Sequence, residues 1–230
     1  METTTYFGID FKSRSQCERL HKKYRQEKYI GKGAYGKVYE VCIKEDCKYV
    51  LKVITFDNSI YEMSGVDQLS FENINMKWQQ ELDMHIAMEE CQKSFPERFT
   101  PHLYDSWFCI EKNKDSHFYM VMEKFEGNLY QFIDKFKRNS TSVQTAIKSL
   151  IQSTLVFKLR FALEHVHNNC LICINDIKLD NVLYKEENGT YLFVFADFGL
   201  SSQFAEEKCK QEDKKRFELM ISKLLEELNL

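Results

Sequence analysis

Between Tyr29 and Glu123 the apolar positions fall in short runs rich in β-branched and aromatic residues, divided by glycine or charged turns. Val38-Tyr39-Glu40-Val41-Cys42-Ile43 and Tyr49-Val50-Leu51-Lys52-Val53-Ile54 favour strands. With the residues before the glycines they predict strand, glycine turn, strand, turn, strand over 29–55. Leu103–Ile110 and Phe118–Glu123 read as two more strands, and residues 56–72 as an insertion loop. A helix is predicted over Asn75–Cys91, where Trp78, Glu81, His85 and Met88 recur at helical spacing and share one face. Beyond 124 the period changes. Asn128–Lys137 and Val143–Asn168 read as helices, the second carrying Ile147, Leu150, Ile151 and Leu155 at helical spacing. Short strands bracket the polar turn Glu186-Glu187-Asn188-Gly189, and a last helix is predicted over Glu212–Leu228. Residues 1–28 are polar and mixed in charge, and read either as a flexible arm or as a short helix on the first domain. The pattern is α+β: an extension over 1–28, a β-rich part with one helix over 29–123, and a mainly helical part over 124–230.

At 230 residues the chain has room for one domain or two small lobes. Its 43% hydrophobic and 29% charged residues are a globular mixture and not a disordered one. Lys and Arg number 32 against 35 Asp and Glu, a net charge of −3, which argues against a protein held to nucleic acid by its phosphates. No apolar run is long enough for a membrane span. The start, METTTYFGIDFKSRS, lacks a signal-peptide core. The expectation is an intracellular protein, cytoplasmic or nuclear and not secreted, whose 8 cysteines are free thiols. The Cys170–Cys173 pair has no second pair at zinc-site spacing and reads as packing.

Gly and Pro are scarce, at 8 and 2, so their positions carry information. Gly31, Gly33 and Gly36 form a GxGxxG loop. In a dinucleotide fold a helix must start at such a loop, but Lys37-Val38-Tyr39-Glu40-Val41 favours a strand. Three readings stay open at this point: a hairpin flap over nucleotide phosphates, a plain hairpin turn, and the dinucleotide fold that this strand disfavours. Lys52 sits mid-strand between Leu51 and Val53, where a lysine must snorkel, pair with an acid or meet a ligand anion. Glu81, on the partly apolar face of the following helix, is the acid best placed to meet it. Farther on, Asp176-x-Lys178-x-x-Asn181 and Asp197-Phe198-Gly199 gather oxygen donors suited to Mg²⁺ and an acid able to accept a hydroxyl proton. Taken alone, either stretch reads better as a solvated charged loop.

In family order, these segments resemble a eukaryotic-type protein kinase over roughly residues 24–204. The resemblance implies a bilobal α+β fold, with a five-stranded antiparallel N-lobe carrying one main helix and a reduced helical C-lobe. It implies that Ile30, Gly31, Lys32, Gly33, Ala34, Tyr35, Gly36, Lys37 and Val38 cover ATP, with Val50 and Leu183 lining the nucleotide. Lys52 would hold the α and β phosphates with Glu81 in support. Met122 would be the gatekeeper, with Glu123 and Phe125 backbone groups meeting the adenine. Asp176 would be the catalytic base, Lys178 would steady the transferred phosphoryl group, and Asn181 and Asp197 would hold Mg²⁺.

The sequence departs from the family in two places. The family's His-Arg-Asp is Ile174-Asn175-Asp176, and Asn175 cannot pair ionically with an activation-loop phosphate. After Gly199 no Ala-Pro-Glu appears, so the substrate platform is missing or heavily reduced. Phe217, Met220, Ile221, Leu224, Leu225 and Leu228 form an apolar stripe. It is read as a substitute core helix beneath the catalytic loop, or otherwise as a docking face for a partner or second copy. The implied activity is transfer of the ATP γ-phosphoryl group to Ser/Thr of a protein substrate. The competing readings are a nucleotide-binding pseudokinase that acts as a partner-binding or decoy module, and a small-molecule kinase. In style the chain is similar to the stripped-down kinases of large DNA viruses or reduced parasites.

Overall fold

The computed structural model describes residues 3–6, 9–32, 36–56, 68–110, 115–138, 151–204 and 206–228. The chain divides into two units, Met1–Gln80 with His102–Lys124, and Glu81–Pro101 with Phe125–Leu230. The elements are β1 (Thr3–Tyr6), β2 (Ile9–Lys12), α1 (Arg14–Lys23), β3 (Arg25–Lys32), β4 (Lys37–Ile43), β5 (Asp46–Phe56), α2 (Gln68–Gln92), β6 (Leu103–Ile110), β7 (Ser116–Glu123) and β8 (Gly127–Asn128). There follow α3 (Leu129–Lys137), a π-helical turn at Ile151–Val156, α4 (Phe157–Asn168), β9 (Ile172–Cys173), a 3₁₀ turn at Leu179–Asn181, β10 (Val182–Glu187), β11 (Thr190–Phe195), β12 (Ser202–Gln203) and α5 (Glu207–Glu227). Among the described residues no helix is long and apolar enough to cross a membrane.

The first unit is an antiparallel five-stranded sheet in the order β3-β4-β5-β7-β6. Its register separates two faces. Tyr39 pairs with Leu51 and Leu51 with Val121, so these share one face, as directly opposed residues do in an antiparallel ladder. That face packs with Cys17, Leu20 and Tyr24 of the α1 segment and with Trp107 and Tyr119. Tyr24, Trp107 and Tyr119 stack in series, with ring centroids 5.4 and 4.9 Å apart. The opposite face carries Val38, Lys52 and Met120 in one cross-strand row, and Val50 opposite Met122. Trp78 of α2 stacks on Phe118, 5.9 Å between centroids. The N-terminal segment is thus a β1–β2 hairpin followed by α1, with Cys17 and Tyr24 in the unit's core.

The second unit is built on a large apolar cluster drawn from the end of α2, from α3, α4, α5 and from β9–β11. Asn128 caps α3 reciprocally: its Oδ1 accepts from the Gln131 N–H at 3.1 Å, and Gln131 Oε1 accepts from the Asn128 N–H at 3.0 Å. Between β10 and β11, Asn188 (φ 54°) and Gly189 (φ 75°) form the two-residue turn that an Asn-Gly pair favours.

Several sequence expectations change. Helix α2 begins at Gln68, so 68–72 is helical and not loop; residues 57–67 of the expected insertion lie outside the described residues. Within the expected Val143–Asn168 helix, 143–150 lie outside the described residues, and 151–156 are wound as a π turn. Helix α5 starts at Glu207, five residues before its expected start. The cysteines are not free: the bonds are Cys17–Cys109 and Cys42–Cys47 in the first unit, and Cys91–Cys170 and Cys173–Cys209 in the second. Cys170 and Cys173 therefore do more than pack, each being bonded to a separate helix. Of the two readings of the α5 stripe, the substitute core helix is the one the packing supports, and the docking face is not. Phe217, Met220, Ile221, Leu224 and Leu228 are all at most 5% exposed in the unit's own core, and Leu225 packs against it. Their apolar area is already withdrawn from water, which removes the driving force for a partner or second copy to cover it.

Candidate active site

In the first unit, the sheet puts Gly31 opposite Val38, Val38 opposite Lys52, and Lys52 opposite Met120. Lys52 is 6% exposed, although its neighbours Val38, Val50 and Met122 are half-buried. A buried ammonium in a mostly apolar row is costly unless paired, so the sequence places it there against its solvation preference. Gly31 has nothing within 4 Å of where a Cβ would stand, whereas a Cβ on Gly36 would meet Val53 O and Ile54 Cγ1 at 2.7 Å. The two glycines thus differ: Gly36 is required by β5, and Gly31 leaves open space. Ile30 is 48% exposed, and Lys32 and Lys37 are exposed. Gly33, Ala34 and Tyr35 lie outside the described residues. At the end of β7 the Glu123 N–H donates to His102 O at 2.8 Å.

In the second unit, the loop after β9 gathers Asp176, Lys178 and Asn181. Lys178 Nζ donates to Asp176 Oδ2 at 2.7 Å. Asn181 Nδ2 donates to the same oxygen at 2.8 Å and to Asp176 O at 3.0 Å. Asn181 O accepts from the Ala196 N–H at 2.8 Å, which sets Asp197 one residue farther along. Asp197 has φ 63°, a left-handed conformation that costs a non-glycine residue free energy and is often kept where function requires it. The hydrogen bond it donates to Asp176, above all, holds the Lys178 ammonium above the ordinary lysine value; burial opposes this, and the charges of Asp176, Asp197 and Asp180 add to it. Glu81 is 4% exposed, and its Oε2 lies 3.5 Å from where a Cβ would stand on Gly199. Phe198 is buried, with the His85 ring edge-on at 5.5 Å; His85 Nε2 lies 2.9 Å from Pro101 O. Ile174 packs in the same apolar cluster as Phe198. Leu183 is half-buried on β10 opposite Val194, and the Phe125 ring lies 5.5 Å from Lys185 Nζ.

A family model of the protein kinase domain matches residues 24–217. The chain belongs to the protein kinase family. Its match runs from the end of α1 into α5, across both units.

Sequence reasoning missed one residue that holds the loop of Asp176. Asp213 of α5 is fully buried and accepts three bonds. Its Oδ2 takes the Ile174 N–H at 2.7 Å and lies 3.0 Å from His167 Nε2, and its Oδ1 takes the Asn175 N–H at 2.8 Å. The signal was present: Asp213 stands four residues before Phe217, on the same helical face as the apolar stripe. An acid on a buried face needs partners, and two backbone donors supply them. Asn175, where the family has arginine, adopts φ 63° and donates through Nδ2 to Leu200 O at 3.0 Å and Ser202 Oγ at 2.9 Å. It ties the loop of Asp176 to the stretch after the Asp-Phe-Gly triplet with neutral hydrogen bonds. Asn181 and Asp197 offer oxygen donors, and the Asn181 amide nitrogen is already committed to Asp176. The pair therefore fits a hard cation such as Mg²⁺.

Proposed function

We propose that the chain transfers the γ-phosphoryl group of ATP to serine or threonine hydroxyls of a protein. The observation that carries this reading is the preformed Lys178–Asp176–Asn181 network, locked by Asn181 O to the residue before Asp197. Asp176 accepts the proton of the attacking hydroxyl. The hydroxyl oxygen bonds to the γ-phosphorus, the bond to the β-γ bridging oxygen breaks, and ADP leaves with that oxygen. Lys178 remains an ammonium beside Asp176 and neutralises charge on the transferred group. Asn181 and Asp197 would hold Mg²⁺, which when bound neutralises phosphate charge. Lys52 and Glu81 serve nucleotide phosphates, Val38, Val50, Met122 and Leu183 line the nucleotide, and Glu123 and Phe125 meet the adenine through backbone groups.

Activity in this reading does not wait on phosphorylation of the segment after the triplet. Asn175 supports this, because it already bridges to Leu200 and Ser202 without a phosphate. Only residues 200–206 separate the triplet from α5, which favours a second reading, a nucleotide-binding pseudokinase. Labelled Mg-ATP with a generic basic protein, run beside Asp176→Asn and Lys52→Ala, decides between them. Transfer abolished by both substitutions supports the enzyme, and phosphatase pretreatment leaves its rate unchanged. ATP binding in a thermal-shift assay without transfer supports the pseudokinase.

A further inference from the structure

Strand β9 is only two residues long, yet it leads directly into the catalytic loop. It is fixed covalently on both sides. Cys170, two residues before it, is bonded to Cys91 near the end of α2, and Cys173, its last residue, is bonded to Cys209 in α5. Cys209 stands four residues before Asp213, the acceptor for the Ile174 and Asn175 N–H groups that immediately follow Cys173. The covalent and hydrogen-bonded ties from α5 therefore converge on three consecutive residues, 173–175. The segment closed by Cys173–Cys209 spans 36 positions and contains Asp176, Lys178, Asn181 and Asp197. The other two disulfides lie in the first unit and close nothing around this loop.

We infer that the Cys91–Cys170 and Cys173–Cys209 bonds are positioning elements for the catalytic loop, and that phosphoryl transfer is redox-dependent through them. The consequence for rate rests on the kinase reading; the consequence for the loop does not. Cys173 is fully buried and Cys209 half-buried, so Cys209 is the sulfur of this pair that a reductant reaches. A dithiol reductant transfers two electrons and two protons to the bond, leaving Cys173 and Cys209 as thiols, and itself closes to a disulfide. Loss of the tie lets 173–175 move against Asp213, and small misplacement of a catalytic loop is costly in rate.

The test compares Cys173→Ala/Cys209→Ala with Cys42→Ala/Cys47→Ala as a control in the first unit. Hydrogen exchange is read at the Ile174 and Asn175 amides, and kcat and KM for ATP are measured alongside. The expected result is loss of amide protection at 174–175 in the first variant alone. With it, kcat falls about 10- to 100-fold while KM for ATP is unchanged. Should the variant not fold, the wild-type chain is titrated with dithiothreitol, and alkylation mass spectrometry tracks the Cys173–Cys209 bond. Protection is then lost in step with that bond and returns on reoxidation. Protection lost without transfer in any form keeps the positioning role and refutes the kinase reading. Unchanged protection at 174–175, or full kcat with the bond open, overturns the inference.

Discussion

Replacing Asp213 with asparagine preserves shape and removes one acceptor. Asp213 is fully buried, and its two oxygens serve the Ile174 and Asn175 N–H groups at 2.7 and 2.8 Å. An amide offers one oxygen, so its NH₂ must face one of these N–H groups whichever way it is turned. A buried unsatisfied donor costs about 1–3 kcal/mol, and the surviving bond loses charge assistance worth about 1 kcal/mol more. The expected loss is therefore about 3 kcal/mol, and Asp213→Ala, which orphans both backbone donors and removes the partner of His167 Nε2, should lose about 3–5 kcal/mol. Urea unfolding followed by far-UV circular dichroism, with the disulfides intact, measures it. At an m of about 2–3 kcal/mol/M the midpoint falls by about 1–1.5 M with m unchanged. Asp134→Asn, an exposed acid on α3, is the control and should leave the midpoint in place. A deficit for Asp213→Asn no larger than that of Asp134→Asn would refute the role of Asp213 as the acceptor that holds the loop.

Two further predictions concern other parts of the chain. Gly36→Ala drives a methyl group into Val53 O and should cost about 1–3 kcal/mol in the same urea experiment. Gly31→Ala has open space and should fold with wild-type stability while weakening ATP binding in calorimetry; equal stability losses at both positions would contradict this. For Glu126, burial pushes the carboxyl up, but the Lys135 ammonium and the Glu186 N–H outweigh it, and the net value lies below the ordinary glutamate range. A depressed carboxyl stabilises the fold above its unfolded value and loses that contribution as the pH falls through its folded value. The stability gap between the wild-type chain and Glu126→Gln should thus be full near neutrality and close in acid, and a gap that widened there would contradict the assignment.

Elements whose cause is local were legible in the sequence. Strand β6 has the expected bounds Leu103–Ile110, where Tyr104, Trp107, Phe108 and Ile110 favour extended backbone. The β10–β11 turn follows from Asn188-Gly189, and the start of α3 from Asn128. The motif residues Asp176, Lys178 and Asn181 are close in sequence, and the structure brings them into mutual contact. Features that need distant segments to meet were not legible. Cys17 and Cys109 are 92 residues apart and Cys91 and Cys170 are 79 apart, so no spacing rule pairs them, and arguing from compartment led to free thiols. The spacing of Asp213 from Phe217 puts it on the apolar face of its helix, but its partners, the Ile174 and Asn175 N–H groups, are about 40 residues away and no local pattern names them. The apolar stripe on α5 was legible as a core helix, because its spacing is local; which segments cover it, β9 and the loop after it, was not.

The stacked rings of the first unit have a spectroscopic consequence. The chain has 2 tryptophans, and both Trp107 and Trp78 belong to that unit, the first within the Tyr24–Tyr119 stack and the second against Phe118. Intrinsic fluorescence excited at the indole band therefore reports the sheet and leaves the loop of Asp176 and helix α5 dark. A single tryptophan placed at Leu219, an exposed position on α5, would supply the missing emitter. With Trp78 and Trp107 replaced by phenylalanine, that residue would be the sole indole and its emission would follow α5, while the unaltered chain follows the sheet.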